Sequence, residues 1–244
     1  MVLPLDMPDD YIYLPGSGKS TLGDMGELAS RLGSPVTYDR RGSVYWYDTF
    51  ESGISGYFIG LSGAGASIRY THNYVFSGLM SAKLTAGSTS LRRAQLVKRI
   101  APSLITTYGV EFTFSLGGNV GGIHNIFQLN RGGYRIAPEV IYTTSTGLLI
   151  IGDNVNPAVN IDTFSIDTNN PTLFHTMKLV IDAVNERGVR LLFDQAEYDI
   201  SNVTFAHIAD VTNKRIEITI QVSSEGATNG IIYVDNIIAT VGDP

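Results

Sequence analysis

The sequence predicts an all-β fold, a β-sandwich or jelly roll carried behind an extended N-terminal arm with one short helix. Three observations predict it. Apolar and polar residues alternate with a period of two over long stretches after residue 46. Turns rich in Gly, Asn and Asp separate those stretches at fairly even spacing, with no helical pattern between them. The first 46 residues show neither feature and are dotted with Gly and Pro. The chain therefore reads as an arm, residues 1–46, and one body, residues 47–244, without an internal repeat or a linker that would divide the body.

The arm begins Met1-Val-Leu-Pro-Leu-Asp-Met-Pro-Asp-Asp10, without the cationic start and apolar core of a secretion signal. The expectation is a protein made in a cytoplasm and soluble. Leu14-Pro-Gly-Ser-Gly-Lys-Ser-Thr21 has the ending of a phosphate-binding loop. That motif needs Gly six positions before its Lys, so that backbone N–H groups can wrap the phosphates. Tyr13 stands there, so the segment reads as a loop. A short helix follows over about residues 21–33. Thr21 and Asp24 form a capping pair, Leu22, Met25, Leu28, Ala29 and Leu32 share one face, and Gly33 with Pro35 supplies the stop. Gly23 and Gly26 weaken it by roughly 1 kcal/mol each, and so short a helix needs a surface to dock on. Its own body and a neighbouring subunit are both candidates. The pair Arg40 and Arg41 reads as a turn into the body, either solvated, locally ion-paired or set against an acidic partner.

Within the body, Val110, Phe112, Phe114 and Leu116 alternate with Glu111, Thr113 and Ser115. Two strands between Met177 and Leu192 flank the hairpin turn Asn185-Glu-Arg-Gly188. Ile216, Ile218, Ile220 and Val222 alternate with Glu217, Thr219 and Gln221, and a last strand covers Ile231 to Val241.

Composition limits the functions open to this chain. Hydrophobic residues make up 43% and charged residues 16%, so it is globular rather than disordered. A net charge of −6 speaks against a nucleic-acid partner. No apolar run approaches the ~20 residues of a membrane-spanning helix. Without Cys there is neither a disulfide framework nor a thiolate metal site. His72, His124, His175 and His207 lack metal-ligand spacing, and no Gly-x-Ser-x-Gly elbow supports acyl transfer. Arg92, Arg93, Lys98 and Arg99 concentrate positive charge, as edge protection or as a contact with an acidic neighbour. Sugar binding needs aromatic platforms, and Tyr70, Tyr74, Tyr134 and Tyr142 are the candidates; half-exposed sandwich tyrosines would read the same way.

The stretches Phe174-His-Thr-Met-Lys-Leu-Val-Ile-Asp182, Arg187-Gly-Val-Arg-Leu-Leu-Phe193 and Glu197-Tyr-Asp-Ile-Ser201 resemble consecutive strands of concanavalin-A-like jelly rolls. Asp48-Thr-Phe-Glu-Ser-Gly53 and Ile232-Tyr-Val-Asp-Asn-Ile-Ile238 resemble the first and last strands of such domains, carbohydrate-binding modules among them. Leu32-Gly-Ser-Pro-Val-Thr-Tyr-Asp-Arg-Arg-Gly42 is similar to segments of minor structural proteins of tailed bacteriophages. The combination implies a non-enzymatic virion protein, made in the host cytoplasm, that decorates or cements a capsid or tail. Its arm residues Leu22, Met25, Leu28, Leu32, Arg40 and Arg41 would bind the partner subunits, and the whole would form a symmetric oligomer. The jelly-roll likeness alone implies the alternative, an extracellular carbohydrate-binding module or lectin-like domain. A glycoside hydrolase ranks third, because the Glu-x-Asp-x-(x)-Glu run that places two carboxylates ~5–5.5 Å apart is missing. The resemblance requires no cofactor and admits a structural calcium ion at Asp48, Glu51 and Asp235; ordinary surface carboxylates are the other reading.

Overall fold

The structure, a computed structural model, describes Asp39, residues 41–102 and residues 105–244. The expected helix over 21–33, the loop before it, and Leu22, Met25, Leu28, Leu32 and Arg40 lie outside the described residues. By its contacts the chain divides into two units, Met1–Arg40 and Arg41–Pro244, and the described strands all belong to the second.

Seventeen strands and no helix make up the described residues. The first half comprises β1 (Ser43–Asp48), β2 (Phe58–Leu61), β3 (Ser67–Thr71), β4 (Ser81–Thr85), β5 (Arg93–Ile100), β6 (Thr107–Gly118), β7 (Val120–Asn130) and β8 (Tyr134–Ile136). The second comprises β9 (Glu139–Thr143), β10 (Leu148–Gly152), β11 (Val159–Thr163), β12 (Phe174–Asp182), β13 (Arg187–Phe193), β14 (Ala196–Asp199), β15 (Ile208–Ala209), β16 (Arg215–Ser224) and β17 (Ile231–Val241). They form two antiparallel sheets. Sheet 1 runs β14-β13-β12-β6-β17-β4-β3, with β1 also paired to β17. Sheet 2 runs β11-β10-β9-β7-β16-β5-β2, with β8 and β15 attached beside β7. Each sheet joins sequential hairpins, β12–β13–β14 and β3–β4 in one and β9–β10–β11 in the other, through neighbours distant in sequence such as β6–β17 and β7–β16, which is the Greek-key connectivity of a jelly roll. The all-β sandwich predicted from the alternation is what forms.

The inward residues of both sheets meet in one core. Phe112, Phe114 and Leu116 of β6 face Ile123 and Phe127 of β7 and Ile218, Ile220 and Val222 of β16, all buried. The turns obey local chemistry. Asp182 accepts the N–H groups of Val184 and Asn185 at 2.9 and 3.0 Å, and Glu186 then takes the left-handed conformation (φ 56°) that closes the β12–β13 hairpin.

Two readings of the sequence change. Residues 43–46, taken as the end of the arm, form the first four of the six residues of β1 and run beside Ala239 to Val241 of β17. The polar side of β6 is not half-exposed either: Glu111, Thr113 and Ser115 are all buried, and Thr113 Oγ1 lies 3.3 Å from Thr176 Oγ1 of β12.

Near that side lies a buried ionic group. Gly242 donates its N–H to Thr107 O at 3.0 Å and, at φ 62°, turns Asp243 back over sheet 1. Asp243 Oδ2 receives Lys178 Nζ and Thr240 Oγ1, both at 2.7 Å, and Oδ1 receives Arg190. Gly109 of β6 leaves the room for this. A Cβ there would sit 2.7 Å from Asp243 Oδ2 and 2.9 Å from Lys178 Cε. Gly109→Ala is expected to lower unfolding free energy by about 1–3 kcal/mol, measured by urea denaturation.

Candidate functional site

The outer face of sheet 2 carries an open groove of about 520 Å³. Strand alternation builds its floor: where Ile216, Ile218, Ile220 and Val222 of β16 enter the core, Glu217, Thr219 and Gln221 must face outward. Register then aligns these with outward residues of neighbouring strands in three rows. One row runs Gly60, Gln95, Gln221, His124 and Ile141. The next runs Phe58, Val97, Thr219, Ile126 and Glu139, and the third Arg99, Glu217 and Gln128. Gly60 has a steric reason: a Cβ there would lie 2.5 Å from Gln95 Cγ, so only glycine lets Gln95 lie beneath the edge strand.

Glu217 is the electrostatic centre of this floor. It receives Arg99 Nε at 2.8 Å on one oxygen. The other receives Arg215 Nε and Nη2 at 2.8 and 2.6 Å and Gln128 Nε2 at 3.1 Å. Burial pushes its pKa up, but hydrogen bonds from Arg99 and Arg215, with their charges, outweigh that and hold the carboxyl below its ordinary range. Arg135 Nη1 donates to Gln128 Oε1 at 3.1 Å. Along the second and first rows, Glu139 Oε1 lies 2.7 Å from His124 Nδ1. Phe58, 55% exposed, forms one wall, with the Arg99 guanidinium 4.1 Å above its ring centroid. The result is a polar, hydrogen-bonded strip with one open ring at its side.

The four tyrosines singled out from sequence do not meet. Tyr70 on β3 is 56% exposed and, with Phe50, Glu51, Ser52, Gly53 and Met80, lines a smaller hollow of about 240 Å³. Tyr74 packs edge-on against Tyr233, centroids 4.8 Å apart. Tyr134 is stacked by His207 at 4.1 Å, and its hydroxyl donates to Glu186 Oε1 at 2.7 Å. That hydrogen bond, then burial, raises its pKa. Tyr142 cannot be a platform. It lies on the inward face of β9 beside Val140, wholly buried, and its hydroxyl donates to Phe164 O at 2.8 Å.

Asp48, Glu51 and Asp235 brace loops through hydrogen-bond donors. Asp48 accepts Phe50 N at 2.8 Å and the Tyr57 hydroxyl at 2.9 Å. Glu51 Oε1 accepts Leu79 N and Met80 N at 2.7 and 3.1 Å. Asp235 Oδ2 accepts Phe76 N and Ser77 N, both at 3.0 Å. Among the described residues no three His, Asp or Glu side chains converge as a metal site.

Asp235 sits at a β-bulge of β17, and burial raises its pKa to about 6. N–H bonds from Ser77, Asn236 and Phe76 pull it down, while the charge of Glu51 pushes it up. The folded state therefore holds this proton more tightly than the unfolded chain. Its contribution favours folding most below pH ~4 and is lost as pH climbs to about 6. Carbon-13 NMR titration is expected to place the Asp235 midpoint near 6, and lower in Glu51→Gln, whose amide oxygen still accepts Leu79 N and Met80 N. An ordinary midpoint near ~4 would contradict this.

Arg41 is locally paired, in a two-pronged contact with Glu197 at 3.0 and 2.7 Å. The basic stretch of β5 is split by alternation. Arg99 turns to the groove, while Lys98 Nζ lies 5.1 and 5.3 Å from the ring centroids of Trp46 and Tyr57. The sequence reading passed over Gln95, Gln128 and Glu139, and took Glu217 and Gln221 only as the polar half of a strand. The signal for them is the polar half of each alternation.

No protein-family model matches the chain, and no curated protein matches it in sequence. Solved structures match in shape. An endo-β-1,4-glucuronan lyase from the fungus Trichoderma reesei aligns over 82% of this chain and 96% of its own, at 15% identity and TM-score 0.57. A carbohydrate esterase from the Shiga toxin-encoding bacteriophage phi24B aligns over 82% and 99%, at 13% identity and TM-score 0.50. The carbohydrate recognition domain of Emp47p aligns over 85% and 100%, at 13% identity and TM-score 0.50. At such identities the likeness is one of fold. This chain has a concanavalin-like jelly-roll fold.

Proposed function

We propose that the body of this protein is a glycan-binding jelly roll and that its ligand lies in the groove of sheet 2. The observation that carries the reading is the groove floor. Amide, carboxylate, guanidinium and imidazole groups stand in register across β5, β16, β7 and β9. Such a floor matches the dense hydroxyls of a sugar chain, and the Phe58 ring offers the apolar face that a pyranose packs on.

Binding without turnover fits the state of its carboxylates. Glu217 is held ionised by two arginines and has no proton to give a leaving group. Glu139 is turned to His124. The test is a glycan array probed with the full chain and with Gln95→Ala and Gln221→Ala, followed by calorimetry and product analysis of each ligand found. Binding that weakens in both variants, with the glycan recovered intact, is expected. Cleaved products would overturn the non-enzymatic part, and undiminished binding in the variants would overturn the site.

The division at Arg40 and Arg41 favours a second element of the proposal, that the preceding segment attaches the module to a capsid or tail subunit. Because β1 starts at Ser43, the appropriate truncation begins at Arg41. If that protein still joins a particle as the full chain does, the attachment role is wrong.

A further inference from the structure

We infer that the ligand of this groove is an acidic glycan whose carboxylate groups are received by Arg99 and Arg93. The inference rests on the glycan-binding reading above and concerns the charge of the sugar. Four guanidiniums, Arg93, Arg99, Arg135 and Arg215, stand in or beside the groove of a chain whose net charge is −6. They face fewer carboxylates. Glu217 is shared between Arg99 and Arg215, Glu139 is turned to His124, and Asp210 lies 3.6 Å from Arg135. Arg93 is exposed on the groove lining and makes no side-chain ion pair among the described residues. The local excess is positive in an acidic molecule, so the field draws an anion toward this face and away from the rest.

Arg99 is also built to receive a carboxylate. Its Nε is anchored on Glu217 Oε2 at 2.8 Å, and its plane lies over the Phe58 ring at 4.1 Å. Two restraints fix the guanidinium, while its Nη groups make no hydrogen bond among the described residues and the side chain stays 42% exposed. A fixed planar fork with open N–H groups suits two-pronged recognition of a carboxylate, with little side-chain freedom left to lose. Deeper in the floor, Arg135 Nε is buried without a partner. An unmatched donor there is costly.

The test uses the full chain and matched pairs of oligosaccharides: uronate oligomers, each beside its carboxyl-reduced form with the same linkages. Calorimetry at low salt is expected to show the acid form binding at least roughly tenfold more tightly, with the advantage shrinking in high salt. Arg99→Gln is expected to remove most of that preference and Arg93→Gln part of it. Arg99→Lys, which keeps the charge but loses the fork, is expected to fall between wild type and Arg99→Gln. Far-ultraviolet circular dichroism confirms that each variant is folded, and exposed Arg93 gives an independent arm should Arg99→Gln unfold. Equal or tighter binding of the reduced forms would overturn the acidic inference while leaving glycan binding intact. Binding of neither form, together with a silent glycan array, would overturn the glycan reading itself and this inference with it.

Discussion

Asp243→Ala is expected to destabilise the protein by about 3–5 kcal/mol, lowering the melting temperature by roughly 10 °C. The reason is the burial of what Asp243 neutralises. Lys178 is 0% exposed and Arg190 4%, and both direct a cationic group at the Asp243 carboxylate. Removing it takes an anion away from two buried cations in a region where water cannot replace it. Gly42 and Gly109 both border the carboxylate closely, so the site cannot fill in with a larger neighbour without moving the backbone. Asp243→Asn separates charge from shape. If charge is the cause, the amide recovers little of the loss, and thermal unfolding by calorimetry reads the difference.

Tyr142→Ala is expected to cost about 3–5 kcal/mol, the range for emptying a buried aromatic site. Its ring stacks on Phe164 at 5.2 Å and tilts against Phe193 at 5.3 Å, and its hydroxyl satisfies Phe164 O. Tyr142→Phe keeps the rings in contact and is expected to lose only about 1 kcal/mol, the net worth of the hydrogen bond. Tyr70→Ala, at an exposed position, is expected to stay within about 0.5 kcal/mol of wild type. Chemical denaturation of the three variants measures the contrast.

Tyr142 also shows where sequence reasoning had the information and did not use it. Val140 and Tyr142 share one side of β9, and Glu139 and Ile141 the other. Alternation alone therefore places Tyr142 with the core. The strands themselves were legible for the same reason. The apolar period of two marks β6, β12, β13 and β16, and the expected last strand, Ile231 to Val241, coincides with β17. The boundary at residue 46 misses β1, although Val44, Tyr45 and Trp46 already favour a strand. Glu111, Thr113 and Ser115 show the converse limit: polar residues on a central strand can be buried when both faces are covered.

The groove lay beyond this kind of reading. Alternation says that Gln95, Gln128, Glu139 and Glu217 point away from the core, yet not that their strands are neighbours. That adjacency comes from strand order β9-β7-β16-β5-β2, set by connections that cross the sandwich. Arg99 and Glu217 are 118 residues apart in sequence and meet at 2.8 Å only because Glu217 pairs with Arg99 in register. Charge counted along the chain gives a basic cluster on β5, whereas charge counted across the sheet gives a groove.

The central claim, that the groove of sheet 2 is where a glycan binds, is tested most directly by mapping the bound sugar onto the protein. Amide shifts of the full chain are followed by NMR during titration with an oligosaccharide that binds. Perturbations are expected to concentrate on β5, β7, β9 and β16, strongest around Gln95, His124, Glu139 and Gln221, with the amides of Tyr70 and Tyr74 unmoved. Perturbations gathered around Tyr70 and Tyr74 at the edge of sheet 1, with the groove silent, would contradict it.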